Sequence, residues 1–404
     1  MKIELSVTIP IDIDDPNLDT ISTIFKKVMK EFLTKFFNGI LLAFAEAMIA
    51  RRNEELRCPR CGNYKHIRWK TRHGETTKII TIFQRISINQ LQVYCVQCNH
   101  RFYITRRLLG LAPRKIITKE TREKLGLIGA LASFRVSQKI SRLLGWEFDK
   151  MLIWRSVQET AREIEFTVDP GEEAHGEADG TGIPIQGIKK RGKELKIFVQ
   201  HKKSGGIRIA GMTIGDYDKD WSDLFKPLIP QLRKFASFLL VTDGDTGVLN
   251  VLKGKVNIRL QRCLWHIPYQ FRYFLWKDGV KRKTSEWYYA LSQLFDICSL
   301  RELVDDKYLI QKIVEVKKKR LQELIVYCRR TGYKNSAAYL RNSKRHMFTA
   351  IEDRMNGTTT SLVERAMRTV NLRVNVGKWS MKGALNATKI RLAYYYNGWN
   401  PGNT

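Results

Sequence analysis

In the stretch SFLLVTDGDTG, residues 237–247, Asp243 follows a short apolar run after one intervening threonine. The four consecutive apolar residues 238–241 predict a strand that is buried on both faces of a sheet. Asp243 follows near the end of that strand, where open α/β sheets form ligand sites. A carboxylate there is costly to desolvate unless it stays hydrated or holds a cation. Although an Asp-Gly pair alone indicates only a turn, this position makes Asp243 a candidate site residue.

The segments on either side predict an RNase H-like order of strands and helices. Upstream, tight turns separate three strand-like runs: AHGEADGTGIPIQG (174–187), ELKIFVQHKK (194–203) and GIRIAGMTIGD (206–216). One helix (221–235) leads into the apolar strand, and a short helix and a last strand follow it. Antiparallel strands followed by alternating α and β units are the pattern of an RNase H-like core. Asp179, in the first of these strands, is then expected beside Asp243.

A third acid stands out because its surroundings are basic. Residues 356–404 contain seven Lys and Arg but only one acid, Glu364. The segment TTTSLVERAMRTVNLR (358–373) predicts a helix with Thr and Ser caps and with Leu362, Ala366, Val370 and the stem of Arg373 on one face. If this helix packs beside the sheet, Glu364 joins the two aspartates. A lone Glu on a solvated helix face is the alternative interpretation.

Three converging carboxylates suit chemistry on a phosphodiester. Two Mg²⁺ ions about 4 Å apart can activate the attacking oxygen and stabilise the leaving one, and Mg²⁺ prefers carboxylate, water and phosphate oxygens. We therefore expect Asp179, Asp243 and Glu364 to be catalytic ligands of two Mg²⁺ (or Mn²⁺) ions. The other acids nearby are rivals or have no assigned role: Asp216, Asp218, Asp245, Glu352 and Asp353.

Two CxxC pairs predict a structural zinc site. Cys58 and Cys61 are separated by 33 residues from Cys95 and Cys98, and such pairs supply four thiolates to one tetrahedral Zn²⁺. Strand-like runs lie between and after the pairs, which is the pattern of a zinc ribbon held together by its metal. Basic residues around it favour DNA contact, although a merely solvated rim is the alternative: Arg57, Arg60, Lys65, Arg68, Lys70 and Arg72.

Residues 119–165 predict three helices. The second has one apolar stripe, made of Val136, Ile140, Leu143 and Leu144. Gly145 is expected to close this helix, and Asp149 to cap the next one.

The third of these helices is the predicted recognition helix of a helix-turn-helix motif. Ile153, Val157 and Ala161 are expected to point inward. The opposite face is expected to enter a DNA major groove; it consists of Lys150, Trp154, Arg155, Gln158 and Arg162. A helical bundle with a solvated basic face is the alternative.

The composition favours a nucleic-acid-binding protein in a reducing compartment. A net charge of +31 over 404 residues implies a polyanionic partner, with nucleic acid ahead of a membrane surface. Seven cysteines, four of them in CxxC pairs, favour metal binding over disulfides. No secretory signal follows Met1, and the most apolar stretch (36–50) is too short to span a bilayer. We therefore expect no membrane segment and a cytoplasmic, nucleoid-associated protein.

These motifs together resemble those of DDE transposases of bacterial and archaeal insertion sequences, in particular the Mutator-like superfamily. The resemblance rests on ADGTGIP around Asp179, LLVTDGDTG around Asp243 and SLVERAMRTVNLR around Glu364. It also rests on QRCLWHIPYQF, where Cys263 and His266 match the C-x2-H that this superfamily carries after its second Asp. The match covers about residues 170–395, and it includes a long helical insertion before the last acid.

The resemblance implies a DNA transposase that cleaves transposon ends and joins them to target DNA. Asp179, Asp243 and Glu364 would form its metal-binding triad. Cys263 and His266 would be an auxiliary pair with a structural or positioning role, whereas the residues alone indicate a core Cys and a satisfied His. Three arginines would line the DNA path: Arg365, Arg368 and Arg373. The implied partners are terminal inverted repeats and target DNA, and joining two ends favours a homodimer or larger assembly.

We therefore expect a multidomain α+β protein in which a zinc ribbon and a helix-turn-helix precede an RNase H-like α/β core with an all-helical insertion. The expected segments are a dimerising or core-packed strand and helix (1–52), zinc ribbon (53–110), helix-turn-helix (111–168), core (169–277), insertion (278–355) and last part of the core (356–404). Two other functions fit the same features: an RNase H-like nuclease or resolvase without strand transfer, and a DNA-binding regulator with an inactive core.

Overall fold

Two units divide the chain: Met1–Thr160 with Asn400–Thr404, and Ala161–Trp399. The structure, a computed structural model, describes residues 4–12, 17–111, 115–144, 146, 148–188, 193–216, 220–244, 246–300, 306–354 and 357–402. Gly145, Asp218 and Asp245, which the sequence analysis singled out, lie outside these residues. Helices and strands are both abundant, so the chain belongs to the mixed α+β class.

The first unit combines one long helix with five short strands and smaller helices. In chain order these are α1 (Leu18–Ala50), a 3₁₀ turn (Glu54–Leu56), β1 (Ile67–Thr71), β2 (Thr76–Ile80), β3 (Arg85–Asn89), β4 (Gln92–Cys95), β5 (Arg101–Tyr103), α2 (Thr105–Leu108), α3 (Lys119–Leu131), α4 (Phe134–Leu143) and α5 (Lys150–Glu163), which crosses the unit boundary. The strands form an antiparallel sheet in the order β1-β4-β5 and a separate β2–β3 hairpin.

Helix α1 packs on the β2–β3 hairpin along one stripe. Leu41 and Ala45 are buried against the hairpin core. Asn38 joins the two elements, because its side-chain amide donates to the Ser87 carbonyl at 2.9 Å and accepts from the Asn89 N–H at 2.7 Å. This polar residue therefore fixes the helix against a strand.

One part of α1, Lys27–Ala50, is long and apolar enough to cross a membrane by length and composition. The apolar stretch 36–50 is the second half of α1, which lies within the strand-and-helix segment expected over 1–52. Only 22% of the apolar window is buried. A single helix of this kind is weak evidence for a membrane span, since core helices of globular proteins pass the same test.

The apolar stripe of α4 lies on the outside, contrary to the inward packing that its periodicity suggests. Leu143 and Leu144 are 86% and 58% exposed, and Val136 and Ile140 are exposed as well. Two small hydroxyl side chains, Ser137 and Ser141, occupy the buried side. Periodicity identifies the apolar face of a helix, but it does not show whether another element packs against that face.

The second unit is built on a five-stranded sheet in the order β10-β9-β6-β7-β8. Its elements before the helical region are β6 (His175–Ile183), β7 (Lys193–His201), β8 (Ile207–Gly215), α6 (Trp221–Phe225), a 3₁₀ turn (Lys226–Leu228), α7 (Ile229–Leu232), β9 (Phe238–Thr242), α8 (Thr246–Leu252) and β10 (Ile258–Arg262). Strands β6–β8 are antiparallel, whereas β9 and β10 run parallel to β6. The helix predicted over 221–235 is present as shorter pieces, α6, the 3₁₀ turn and α7, which end at Leu232. Pro227 and Pro230 lack the N–H that a helix interior needs, so one continuous α-helix does not form.

The remaining helices are α9 (His266–Lys277), α10 (Ser285–Cys298), α11 (Lys307–Arg330), α12 (Lys334–Lys344), α13 (Thr349–Glu352), α14 (Ser361–Val374) and α15 (Met381–Tyr396). Helices α9–α13 share one apolar core. Because Phe271 and Leu275 of α9 lie in that core, the helical body begins near His266, ahead of the predicted boundary at residue 278.

A buried histidine couples the second unit to pH. The His175 ring stacks on His201 at 3.8 Å between centroids. Burial, reinforced by the charge of His201, lowers the pKa of His175 to about 3. As pH falls below 6.5, the His175 ring therefore becomes protonated in the unfolded chain but stays neutral in the folded chain.

We predict that replacing His175 by Phe makes the free energy of unfolding depend less steeply on pH under acidic conditions. In the native protein, His175 lowers the free energy of unfolding by up to about 1.4 kcal/mol for each pH unit as pH falls from 6.5 towards 3. Thermal melts followed by circular dichroism between about pH 7 and pH 4 would measure the difference. His73→Phe, at an exposed position, is the matched control; equal slopes in the two variants would contradict the role of His175.

Candidate active site and thiol cluster

Three separate elements bring the predicted acids to one end of the sheet. Asp179 lies in β6 and Asp243 directly after β9, and the parallel register pairs Ala178 with Thr242. The two aspartates therefore follow paired residues on adjacent strands. Glu364 lies in the first turn of α14 and is half-buried.

The charges of the three carboxylates act on one another. Burial and the charges of Asp243 and Glu364 raise the pKa of Asp179 to about 7, although the Gly180 N–H and the charge of His266 oppose this. Like charges in one place disfavour ionisation. The three acids thus share one electrostatic environment, despite lying far apart in sequence.

Cys263 and His266 complete this cluster. Nε2 of His266 lies 3.7 Å from a Glu364 oxygen, and the Thr360 hydroxyl lies 3.4 Å from the Cys263 sulfur and from Nδ1 of His266. Burial alone would lower the pKa of His266, but its interactions with Cys263 and with the aspartates raise it to about 9. The raised pKa favours the imidazolium form of His266 at neutral pH, which would partly offset the carboxylate charge.

Glu177 anchors the helix that carries Glu364. This carboxylate is 1% exposed, on β6 two residues before Asp179. Its Oε2 accepts hydrogen bonds from the backbone N–H groups of Leu362 and Val363 at 3.1 and 2.8 Å, and its Oε1 is hydrogen-bonded to His201 at 2.9 Å. Free N–H groups and the helix dipole make the N-terminus of α14 a favourable partner for a carboxylate.

Arg262 holds the loop of Asp243 against the helical body. Its guanidinium donates to Ser343 of α12 at 2.8 Å and to Gln270 of α9 at 3.1 Å, while the Gln270 amide donates to the Asp243 carbonyl at 3.1 Å. Gly244 has a φ of +106°, and a Cβ there would lie 2.2 Å from the same guanidinium. Only glycine fits this position without displacing Arg262.

The predicted DNA-lining arginines divide into two groups. Arg365 and Arg368 are exposed. The prediction for Arg373 is wrong: it is 2% exposed, with its guanidinium 4.3 Å from the centre of the Trp379 ring. Burial lowers the pKa of Arg373 to about 10. It lies on the buried stripe of α14 together with Ala366 and Val370, where it serves packing.

The rival acids have other partners. Glu352 is exposed and bound by Lys318. Asp353 forms an ion pair with Arg259 at 2.5 Å, and Asp216 with Lys193 at the same distance. These pairings favour the assignment of Glu364, rather than a rival, to the cluster.

The four paired cysteines of the first unit form a second cluster. Their sulfur atoms lie within 4.8 Å of one another, with 3.6 Å between Cys58 and Cys98 and between Cys61 and Cys95. Sulfurs bound tetrahedrally at about 2.3 Å from a Zn²⁺ would be roughly 3.8 Å apart. The cluster could therefore hold a metal ion such as zinc. Within the described ranges, it is the only group of three or more His, Cys, Asp or Glu this close; the three acids are spread more widely.

Crowding of the thiols perturbs their ionisation. Burial and the three neighbouring thiols raise the pKa of Cys98 to about 12. Burial also acts against ionisation of Cys58, but backbone N–H groups of Cys61 and Arg60 lower its pKa to about 7. A divalent cation would relieve this conflict, because it binds all four groups as thiolates.

The other predicted contacts of the first unit are mostly exposed. The inward face of α5 is confirmed by Ile153, Val157 and Ala161, each at most 1% exposed. Four residues of its outer face are exposed, as is the basic rim of the thiol module: Lys150, Trp154, Arg155, Arg162, Arg57, Arg60, Lys65, Arg68, Lys70 and Arg72. The prediction for Gln158 is wrong, because it is only 8% exposed. Asp149 caps α5 as predicted, accepting from the Met151 N–H at 2.7 Å.

No protein-family model and no curated protein matches this chain.

Sequence reasoning missed Glu177, His201 and Arg262. A signal for Glu177 was present: in HGEAD, Glu177 and Asp179 alternate on one face of a strand whose other face is small and apolar. Two acids on one buried face require two separate means of compensation. Nothing local in the sequence identifies the amides of α14 as one of them.

We predict that Glu177→Ala loosens the first turn of α14. Loss of a capping carboxylate costs about 1–2 kcal/mol, so the Leu362 and Val363 amides should exchange with solvent roughly 5- to 30-fold faster. Hydrogen exchange measured by mass spectrometry would report this change. Glu172→Ala, which removes a more exposed carboxylate bonded to the Lys203 N–H, is the control. Unchanged exchange in α14 would contradict the anchoring role.

We predict that the purified protein contains one zinc per chain, bound by the thiol cluster. Cys61→Ser removes one thiolate from an exposed corner of the cluster, so the zinc content should fall and the first unit should melt at lower temperature. Metal analysis by plasma mass spectrometry would measure this. Cys328→Ala, in the helical core, should keep the full zinc content, and equal zinc in all three proteins would refute the assignment.

Proposed function

We propose that this protein is a DDE-type DNA transposase that cleaves transposon ends and joins them to target DNA. The observation that carries the proposal is the shared environment of Asp179, Asp243 and Glu364: burial, together with the charges of the two other acids, raises the pKa of Asp179 to about 7, and the pKa of the neighbouring His266 is raised as well. Structural acids are normally paired with cations or kept apart, so a like-charged cluster favours a cation-binding role.

The chain's architecture supports the same proposal. The strand order β10-β9-β6-β7-β8, with three antiparallel and two parallel strands, is the order expected of an RNase H-like core, and the helical body interrupts it before the third acid. A zinc ribbon around the thiol cluster and a helix-turn-helix over α4 and α5 would then bind transposon ends through their basic faces.

Mg²⁺ ions bound by the three carboxylates would activate the attacking oxygen and stabilise the leaving one. Ligands of two ions about 4 Å apart need not meet at one point, so the wider spacing of the acids is compatible with this role. Asp179 would hold its place through β6, and Glu364 through the anchor on Glu177. His266 would limit repulsion between the acids, and the exposed Arg365 and Arg368 would bind the DNA backbone.

We predict that Asp179→Asn and Glu364→Gln each abolish strand cleavage and joining while the protein stays folded. Loss of residues that merely support metal ligands costs about 10- to 100-fold, so loss of a ligand should exceed ~100-fold. The assay incubates the protein with Mg²⁺ and duplexes carrying the inverted repeats that flank its gene, and sequences any joined products.

Glu352→Gln is the matched control, because this rival acid is bound to Lys318 outside the cluster; it should retain activity. Cleavage without joined products would indicate the nuclease or resolvase alternative. Full activity of both triad variants would refute the proposal.

A further inference from the structure

Helix α1 carries two apolar stripes on different faces. The inner stripe packs with the core around the β2–β3 hairpin and consists of Met29, Leu33, Phe37, Leu41, Ala45 and Met48. This stripe begins only in the second third of the helix. In the first part of α1 (18–28), none of the described side chains is buried. The apolar residues of that part therefore have no covering element in the structure.

The outer stripe of α1 consists of Leu18, Ile21, Phe25, Val28 and Phe32. Val28 is half-buried, and the other four side chains are exposed, from 37% for Phe32 to 77% for Leu18. Successive members are three, four, three and four residues apart. A mean interval of 3.5 residues is the repeat of the apolar seam in a two-stranded coiled coil. The outer stripe is thus spaced to pack against another helix.

The extended N-terminal residues 4–8 lie beside the middle of α1. Leu5 packs on Gly39, where an added Cβ would lie 2.5 Å from the Leu5 Cδ1, and the Lys35 ammonium donates to the Thr8 carbonyl at 3.4 Å. Because the outer stripe keeps its exposure, this segment does not cover it.

The charge distribution makes the outer stripe a favourable contact between two copies of the chain. Residues 1–52 contain seven Lys and Arg and seven Asp and Glu, so this segment is neutral, although the whole chain carries +31. The rest of the chain therefore holds all of the excess positive charge, which keeps copies apart. Beside the outer stripe, Glu31 and Lys35 form an exposed ion pair at 2.8 Å. A second copy that approaches along this segment meets no net repulsion.

The exposed area of the outer stripe is close to what a dimer needs. Its four exposed side chains present on the order of 400 Å² of apolar surface. Two copies would bury twice that area, and the flanking polar residues bring the total near the roughly 1,200 Å² of the smallest specific interfaces. The Phe36 ring stacks on Phe32 at 5.6 Å between centroids, which extends the apolar contact by one turn. We therefore expect a dimer that forms at micromolar concentrations.

We propose that the outer stripe of α1 pairs with the outer stripe of a second copy of this chain. The two helices would form a short coiled coil related by a two-fold axis, because a stripe that packs on itself makes a closed, symmetric contact. One helix thus serves two purposes: its inner stripe packs on the hairpin, and its outer stripe joins two chains. The segment lies outside residues 170–395, to which the family resemblance is confined, and the pairing does not depend on the proposed function.

A membrane is the less favoured occupant of the outer stripe. A spanning α1 would have to leave the β2–β3 hairpin, with which it shares an apolar core and the two hydrogen bonds of Asn38. Pairing with a second copy leaves all of these contacts in place.

Sedimentation velocity of the full chain, without DNA, measures this pairing over a range of micromolar concentrations. The chain should form a dimer that persists at high salt, because salt screens charges but not apolar contacts. Phe25→Glu would bury an unpaired carboxylate from each copy, so the dissociation constant should rise by more than ~100-fold. Thr23→Glu is the matched control: it adds the same charge at an exposed position on the opposite side of the helix and should leave the dimer intact. Thermal melts would verify that both variants fold.

A second measurement locates the contact directly. The photoreactive amino acid benzoylphenylalanine, placed at position 25, should cross-link two chains through a peptide within residues 18–36 of the other copy. The Asp179→Asn variant should dimerise as the native chain does, so the pairing is tested separately from cleavage.

Three outcomes would overturn the proposal: a monomer at every concentration, equal dissociation constants for the two glutamate variants, or cross-links confined to other peptides. A monomer that floats with lipid vesicles, and no longer does so in the Phe25→Glu variant, would overturn it in favour of a membrane.

Discussion

A buried carboxylate on the central strand fixes the position of a helix 185 residues further along the chain. Glu177 is sealed from water, so its charge must be compensated inside the protein. The first-turn amides of α14 and the ring of His201 supply that compensation. Because α14 cannot slide without leaving the charge unpaired, Glu364 is held near Asp179 by an element that takes no part in the chemistry itself.

Further long-range contacts brace the same end of the sheet. Arg262 joins the Asp243 loop to α9 and α12, and the segment after α14 pairs with the end of β6, where the Trp379 N–H donates to the Pro184 carbonyl at 3.1 Å. The helical body is therefore bonded to the loop of an acid as well as to the sheet. A molecule bound to these helices would act directly on the position of Asp243.

The sequence predicted secondary-structure elements and residue clusters better than it predicted which helix faces are buried. The CxxC pairs, the strand ahead of Asp243 and the inward residues of α5 follow from local patterns, since metal ligation and burial impose fixed spacings. The exposed stripe of α4 and the buried Gln158 and Arg373 depend on what packs against each helix. For Arg373 the deciding neighbour is Trp379, on the segment that follows α14, and no periodicity reveals that contact. Glu177 was missed because its partners lie so far away in sequence.

The dependence of Glu177 on α14 has a consequence for shortened copies of the gene. A chain that stops before residue 361 would retain the thiol cluster and the strand of Asp179, but the Glu177 carboxylate would lose the amides that stabilise it. Removing one partner of a buried charge costs about 3–5 kcal/mol, a large share of a domain's net stability. Such a fragment would be degraded by cellular proteases rather than persist as a folded protein.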